Sequence, residues 1–266
     1  MILPLLIKNI KDAAKLGLVI LALAAMYTGV IIYMYDPKLA SMLEEYQEVM
    51  PQIMDAVGMR GDTSSLIGFI HTYLYGFLLL VLPMVFTLLK IQQLLIKPMD
   101  EGGILYLITM PRSRIRVALT QLLSVLVCLA VLIMLCVCIG IACAEGMFPG
   151  ELDIKLYLKL NGALLLFHWM TASLLFLAAC AAPDLRSYYI FGPGLLAFFF
   201  LANMLANMGG SLEWLRCVTI FSLFPDEAVL EGSTAAAAGG CMLLAAVTIL
   251  SAAAGAVCFR RKNFSI

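Results

Sequence analysis

The sequence predicts an all-α polytopic membrane protein with six transmembrane helices; composition, span length and charge placement each point there. Of 266 residues, 63% are apolar and 13% charged, with a mean hydropathy of +1.02. A water-soluble domain is about 45–50% apolar and about 25% charged, and a single core could not enclose the excess seen here. Soluble enzymes, nucleic-acid readers and disordered chains are excluded on that ground.

Six stretches are long enough for a bilayer core, which takes about 20 helical residues. They are Leu16–Tyr35, Ile67–Leu89, Val117–Ala144, Tyr157–Ala182, Tyr189–Met208 and Thr234–Phe259. None alternates apolar with polar residues, so they read as helices and not as barrel strands. Residues 1–266 form one transmembrane domain.

Charge placement orients the spans. Segments 1–15, 90–116, 183–189 and 260–266 hold twelve basic and four acidic residues, whereas the opposite segments hold five basic and thirteen acidic ones. The zero net charge is therefore a cancellation between two sides. The basic side, with both termini, is expected in the cytoplasm of a bacterial-type plasma membrane.

The connecting segments follow in order. In 1–15, Ile2, Leu3, Leu6, Ile7 and Ile10 are interleaved with Lys8, Lys11, Asp12 and Lys15. That pattern predicts a short interfacial amphipathic helix with its lysines toward anionic head groups, or else an ordinary charged flank. Ala22-Leu23-Ala24 resembles a signal-peptide cleavage site, but the apolar run continues to Tyr35, too far for a short signal core. After Asp36-Pro37, apolar residues from Leu39 to Val57 recur at helical steps opposite Glu44, Glu45, Glu48 and Asp55, which predicts an external amphipathic helix. It would close an outer mouth or simply cap the bundle. Ser211–Ser233 reads as a second amphipathic outer segment around Trp214 and Phe221. The last span is rich in Gly and Ala, which lets backbones approach closely within the bundle or across a dimer.

Reactive chemistry is sparse. Eight cysteines show no zinc or redox spacing and read as packing residues. No metal site is expected. His168 lies deep in the fourth span with no carboxylate within a turn, so a metal enzyme has little to rest on. Polar side chains in lipid need partners or a wet cavity. His168, Thr171, Ser173, Asn203 and Asn207, with Phe199 beside them, are the candidates to line a substrate pathway; the alternative is hydrogen bonding between helices alone. No Lys follows a Gly, so a phosphate-cradling Gly-Lys-Ser/Thr loop cannot occur. Any ATP-driven work would need a separate subunit.

Between the second and third spans runs Asp100-Glu-Gly-Gly-Ile-Leu-Tyr-Leu-Ile-Thr-Met-Pro-Arg-Ser-Arg114. Ile104, Leu107 and Ile108 make a short apolar helix face that Pro111 stops, and Ser113 is a candidate cap for the next helix. This stretch resembles the corresponding loop of type-2 ATP-binding-cassette (ABC) exporter permeases, roughly Glu-Glu-Gly-Thr-Leu-Glu-Leu-Leu-Leu-Ser-Leu-Pro-x-Ser-Arg. Glu101, Gly102, Leu107, Pro111, Ser113 and Arg114 match outright. Gly103 and Leu105 replace the usual Thr and Glu, and Gln121 stands near the usual Lys, so salt bridges from those positions do not carry over.

The resemblance implies a permease subunit that pairs with a second copy or a paralogue and with two cytoplasmic ABC ATPase subunits. The chain would bind no cofactor, since the ATPases hold ATP and Mg. Residues 98–116, with Lys8 and Lys11, would couple the ATPases to the spans. The cargo would be amphipathic or hydrophobic: an antimicrobial or toxin peptide first, as in the phenol-soluble-modulin exporters of similar size, then a drug or lipid. Besides membrane lipid, the partners are protein; no nucleic acid is expected. The rival readings are a membrane-embedded structural or sensory partner that transports nothing, and an intramembrane enzyme using His168.

Overall fold

The structure, a computed structural model, describes residues 2–35, 56, 65–100 and 113–262. Eight helices organise these residues: α1 Leu3–Tyr33, α2 Leu66–Tyr75, α3 Leu78–Met99, α4 Arg114–Met147, α5 Ile154–Ala181, α6 Leu185–Asn207, α7 Asp226–Leu230 and α8 Thr234–Arg261. Six of them, all but α2 and α7, are long and apolar enough to cross a bilayer. The chain is thus a multi-pass membrane protein. No strand occurs among the described residues, as expected where lipid offers the backbone no hydrogen-bond partners.

α5 is the centre of the bundle. Two thirds (67%) of its apolar window is buried inside the protein, against 28% for α1 and α8 and 22% for α6. Glycines bring α8 close to its neighbours. A Cβ on Gly255 would lie 2.7 Å from the Phe176 ring of α5, and one on Gly240 would lie 2.7 Å from Pro225. The small residues of the last span therefore serve packing within this bundle on one face.

Several boundaries depart from expectation. α1 runs unbroken from Leu3, with Pro4 in its first turn where a missing N–H costs nothing. No break separates a helix over 1–15 from the span that follows. Leu6, Asn9 and Ala13 are instead buried, and the Asn9 amide donates to Gln121 Oε1 at 2.5 Å and to Ser124 Oγ at 3.2 Å on α4. The span expected at 67–89 is interrupted. α2 ends in a π-helical turn, His71–Tyr75, and Gly76–Phe77 separates it from α3.

α3 then continues past the expected end at Leu89 as far as Met99. Lys90, assigned to a cytoplasmic loop by its charge, sits inside this helix at 2% exposure. Its ammonium donates to the Asp12 carbonyl of α1 at 2.9 Å and to Gln93 Oε1 at 2.7 Å. Those bonds are why a lysine does not end the helix. The segment after α6 forms two 3₁₀ turns, Gly210–Cys217 and Phe221–Leu223, and then α7. The helix expected after Asp36-Pro37 lies outside the described residues, Ala56 apart.

Contacts show which helix ends lie together. At one end the Ile2 amide meets Thr120 Oγ1 at 3.2 Å, the Arg114 guanidinium reaches the Lys262 carbonyl at 3.4 Å, and the Lys262 ammonium donates to the Ala182 carbonyl and to Met99 Sδ. Burial pushes the Lys262 ammonium pKa down. Nearby, Asp184 caps α6 by accepting from the Ser187 amide at 2.7 Å; these bonds to Ser187 hold its carboxyl below the usual range. At the other end Tyr35 packs edge-on against Phe69 and Phe148, with ring centroids 5.6 and 5.3 Å away. The segments that share the basic charge therefore meet at one end of the bundle.

Candidate functional site

The pathway candidates separate into two groups. His168, Thr171 and Ser173 on α5 are fully buried, each at 0% exposure. Pro83 in α3 explains the histidine. Proline has no N–H, so the carbonyl four residues earlier loses its helical donor. That carbonyl belongs to Leu79, and His168 Nε2 donates to it at 2.8 Å. The hydrogen bond defines the tautomer, with the proton on Nε2 and a lone pair on Nδ1, which has no partner among the described residues. Thr171 Oγ1 turns back to the His168 carbonyl at 3.0 Å. His168 is thus a strut between α5 and α3, repairing a defect that proline makes. It has no exposure to solvent or substrate in this conformation.

Asn203 and Asn207 on α6 do face a cavity. Together with His71 and Tyr75 of α2, and with Arg216, Asp226 and Glu227 of the segment after α6, they line a cleft of about 170 Å³ that Leu80 also borders. His71 Nε2 lies 3.0 Å from Asp226 Oδ2, which ties the π-helical turn of α2 to the start of α7. The ring of His71 also stacks on Tyr75 at 6.0 Å. The wall thus carries both signs of charge in an otherwise apolar bundle. It can take a polar or zwitterionic group. Among the described residues no group of three His, Cys, Asp or Glu could hold a metal ion, and all eight cysteines are free.

Phe199 is half-buried and is not among the residues lining this cleft; its carbonyl accepts from Thr219 Oγ1 at 2.9 Å, which fastens the segment after α6 onto that helix. His71, Arg216, Asp226 and Glu227 were not among the expected site residues. The His71–Asp226 contact joins positions 155 residues apart, and no local spacing signals it.

Four of the coupling candidates, Lys8, Lys11, Ser113 and Arg114, are described, and they lie toward the basic end. Lys8 and Lys11 are exposed on α1. Ser113 occupies the N-cap position of α4 in extended conformation, but its hydroxyl makes no capping bond. Arg114 opens that helix. Glu101, Gly102, Leu107 and Pro111 lie outside the described residues. Gln121 is buried at 3% exposure and pairs with Asn9, so a neutral amide contact stands there. No protein-family model, curated protein or solved structure matches the chain.

Proposed function

We propose that this chain is the transmembrane permease subunit of an ABC exporter, moving an amphipathic or hydrophobic cargo outward with energy supplied by partner ATPases. The observation that carries the reading is the ordered string Glu101-Gly102…Leu107…Pro111-x-Ser113-Arg114 between two long apolar helices. Positive-inside placement alone accounts for Arg112, Arg114 and Arg116, but not for that order. The basic end then faces the cytoplasm, and a second copy or a paralogue completes the pathway.

Mechanical continuity supports the same reading. The string joins α3 to α4 directly; α3 is bonded to α1 through Lys90, and α4 to α1 through the Asn9 contacts. A push on residues 98–116 from an ATPase that has bound ATP would therefore move three helices together. Lys8 and Lys11 on α1 would feel the same push. Cargo would leave past the outer cleft, where the His71–Asp226 contact would have to part. An antimicrobial or toxin peptide suits the apolar spans best, with a drug or lipid next.

An enzyme built on His168 finds no support, because its Nε2 is committed to Leu79 and the ring is enclosed. The test is co-purification of the chain with an ABC ATPase encoded beside it, followed by ATPase assays with candidate cargos. Stimulated turnover that falls in Glu101→Ala and Pro111→Ala complexes is the expected result. A chain that copurifies with no ATPase, or variants that leave stimulated turnover intact, would sink the proposal in favour of a non-transporting partner.

A further inference from the structure

We infer that the cleft beside His71 and Asp226 is a binding site for one small zwitterion, a free α-amino acid with an aliphatic side chain. Arg216 and Glu227 bring opposite charges to the lining of this one cleft, yet they form no ion pair with each other. Asn203 and Asn207, one turn apart on α6, line it too, and among the described residues neither side chain has a hydrogen-bond partner. Polar groups at the end of a membrane helix need partners. Here four of them face a shared space and leave one another unpaired.

The match runs group by group. A carboxylate suits Arg216, whose planar fork can take both oxygens at once. A primary ammonium has three donors to place, and Glu227 and the asparagine carbonyls can accept them. Asp226 is less available, because its Oδ2 is held 3.0 Å from His71 Nε2. Leu80, Phe221 and Phe224 add an apolar stretch of wall, and all three are buried, so it keeps its shape. An aliphatic side chain laid on it leaves water.

Size narrows the class. Drug-sized ligands occupy about 300–1,000 Å³, and a closed cavity of about 150 Å³ takes benzene. A cleft of about 170 Å³ therefore suits a molecule like valine or leucine and could admit a peptide only by one end. A peptide end brings one of the two charges. The free amino acid brings both, as the lining does. Bound there, it would touch α2, α6, the first 3₁₀ turn and α7 together.

This inference goes beyond the exporter reading and does not rest on it; its test holds no ATPase. The purified full chain in detergent micelles is titrated with L-leucine, N-acetyl-leucine and leucinamide, and binding is followed by saturation-transfer NMR. Leucine should saturate, and each analogue should bind at least about tenfold more weakly, the loss of one charge-assisted hydrogen bond. Arg216→Gln should weaken leucine by a similar factor and erase its advantage over leucinamide, which has no carboxylate to lose. Glu227→Gln should erase the advantage over N-acetyl-leucine, which has no ammonium. Glu227 is exposed, so that variant carries the test alone should Arg216→Gln misfold.

No saturable leucine signal, or variants that leave both ratios unchanged, overturns the site. N-acetyl-leucine or leucinamide binding as tightly as leucine to the wild type would assign the cleft to a peptide's carboxyl or amino end and overturn it equally.

Discussion

Replacing His168 by Leu removes the donor that satisfies the Leu79 carbonyl, and the structure sets the size of the effect. A hydrogen bond between membrane helices is worth about 0.6 kcal/mol on average and up to about 1.7. An orphaned buried carbonyl costs about 1–3 kcal/mol. His168 is fully enclosed, so no water can replace it. His168→Leu should therefore destabilise the chain by about 1–2 kcal/mol. The cause lies in Pro83, and that gives a sharper test. Pro83→Ala restores an N–H four residues after Leu79, so the carbonyl regains a helical donor. In that background His168→Leu should cost at most about 0.5 kcal/mol, leaving a coupling of about 1 kcal/mol in the double-mutant cycle. The four proteins would be unfolded by titrating a denaturing detergent into mixed micelles, followed by circular dichroism. Equal costs of His168→Leu in the two backgrounds, within about 0.3 kcal/mol, would refute the assignment of His168 as the partner of a proline-orphaned carbonyl.

Three further outcomes are expected. His71→Ala and Asp226→Ala should each raise amide exchange across residues 210–230 without unfolding the bundle, with a coupling of about 0.5–1 kcal/mol because the carboxylate is 28% exposed; additive effects on exchange would mean that the pair does not hold this segment. Lys90→Met should fall within about 1 kcal/mol of wild type in the same detergent titration, since a packed apolar chain can replace a buried charge at little cost. Lys90→Glu should lose about 3 kcal/mol or more by leaving a buried carboxylate without a cation; a large loss in both variants would contradict this account. Gly255→Ala should cost about 1–3 kcal/mol by pressing on Phe176, whereas Gly239→Ala, with nothing within 4 Å, should gain about 0.5–1 kcal/mol from helix propensity; thermal midpoints that move the same way in both would count against the packing described.

How far the fold could be read depended on the kind of signal. Spans three, four and six were found within a few residues of α4, α5 and α8, because apolar runs bounded by charges are legible one residue at a time. The helix continues past Leu89, the expected end of the second span; Lys90 reads as a boundary until Asp12 and Gln93 come into view. The α2 break at Gly76–Phe77 leaves only a weak local trace, a single glycine. Among the site candidates, Asn203 and Asn207 were legible as a pair on one helical face that needs a polar environment, and they line the cleft beside His71 and Asp226. His168 carried the same signal and turned out to be a strut. Polarity in a span reports only that a partner exists, not whether it is a carbonyl or a ligand.

Composition and hydropathy alone sufficed for a multi-pass helical protein, since lipid leaves a long apolar backbone no alternative to bonding within its own helix. Charge counts alone divided the connecting segments into two sides, and the order of residues from Glu101 to Arg114 alone carries the exporter proposal. The partner of each buried polar group came only with tertiary structure. Leu79 meets His168 across 89 residues, Lys90 meets the Asp12 carbonyl across 78, and His71 meets Asp226 across 155. These pairings depend on how rigid helices pack side by side, and packing is decided by the shapes of whole faces, such as the notch at Gly255 that admits Phe176.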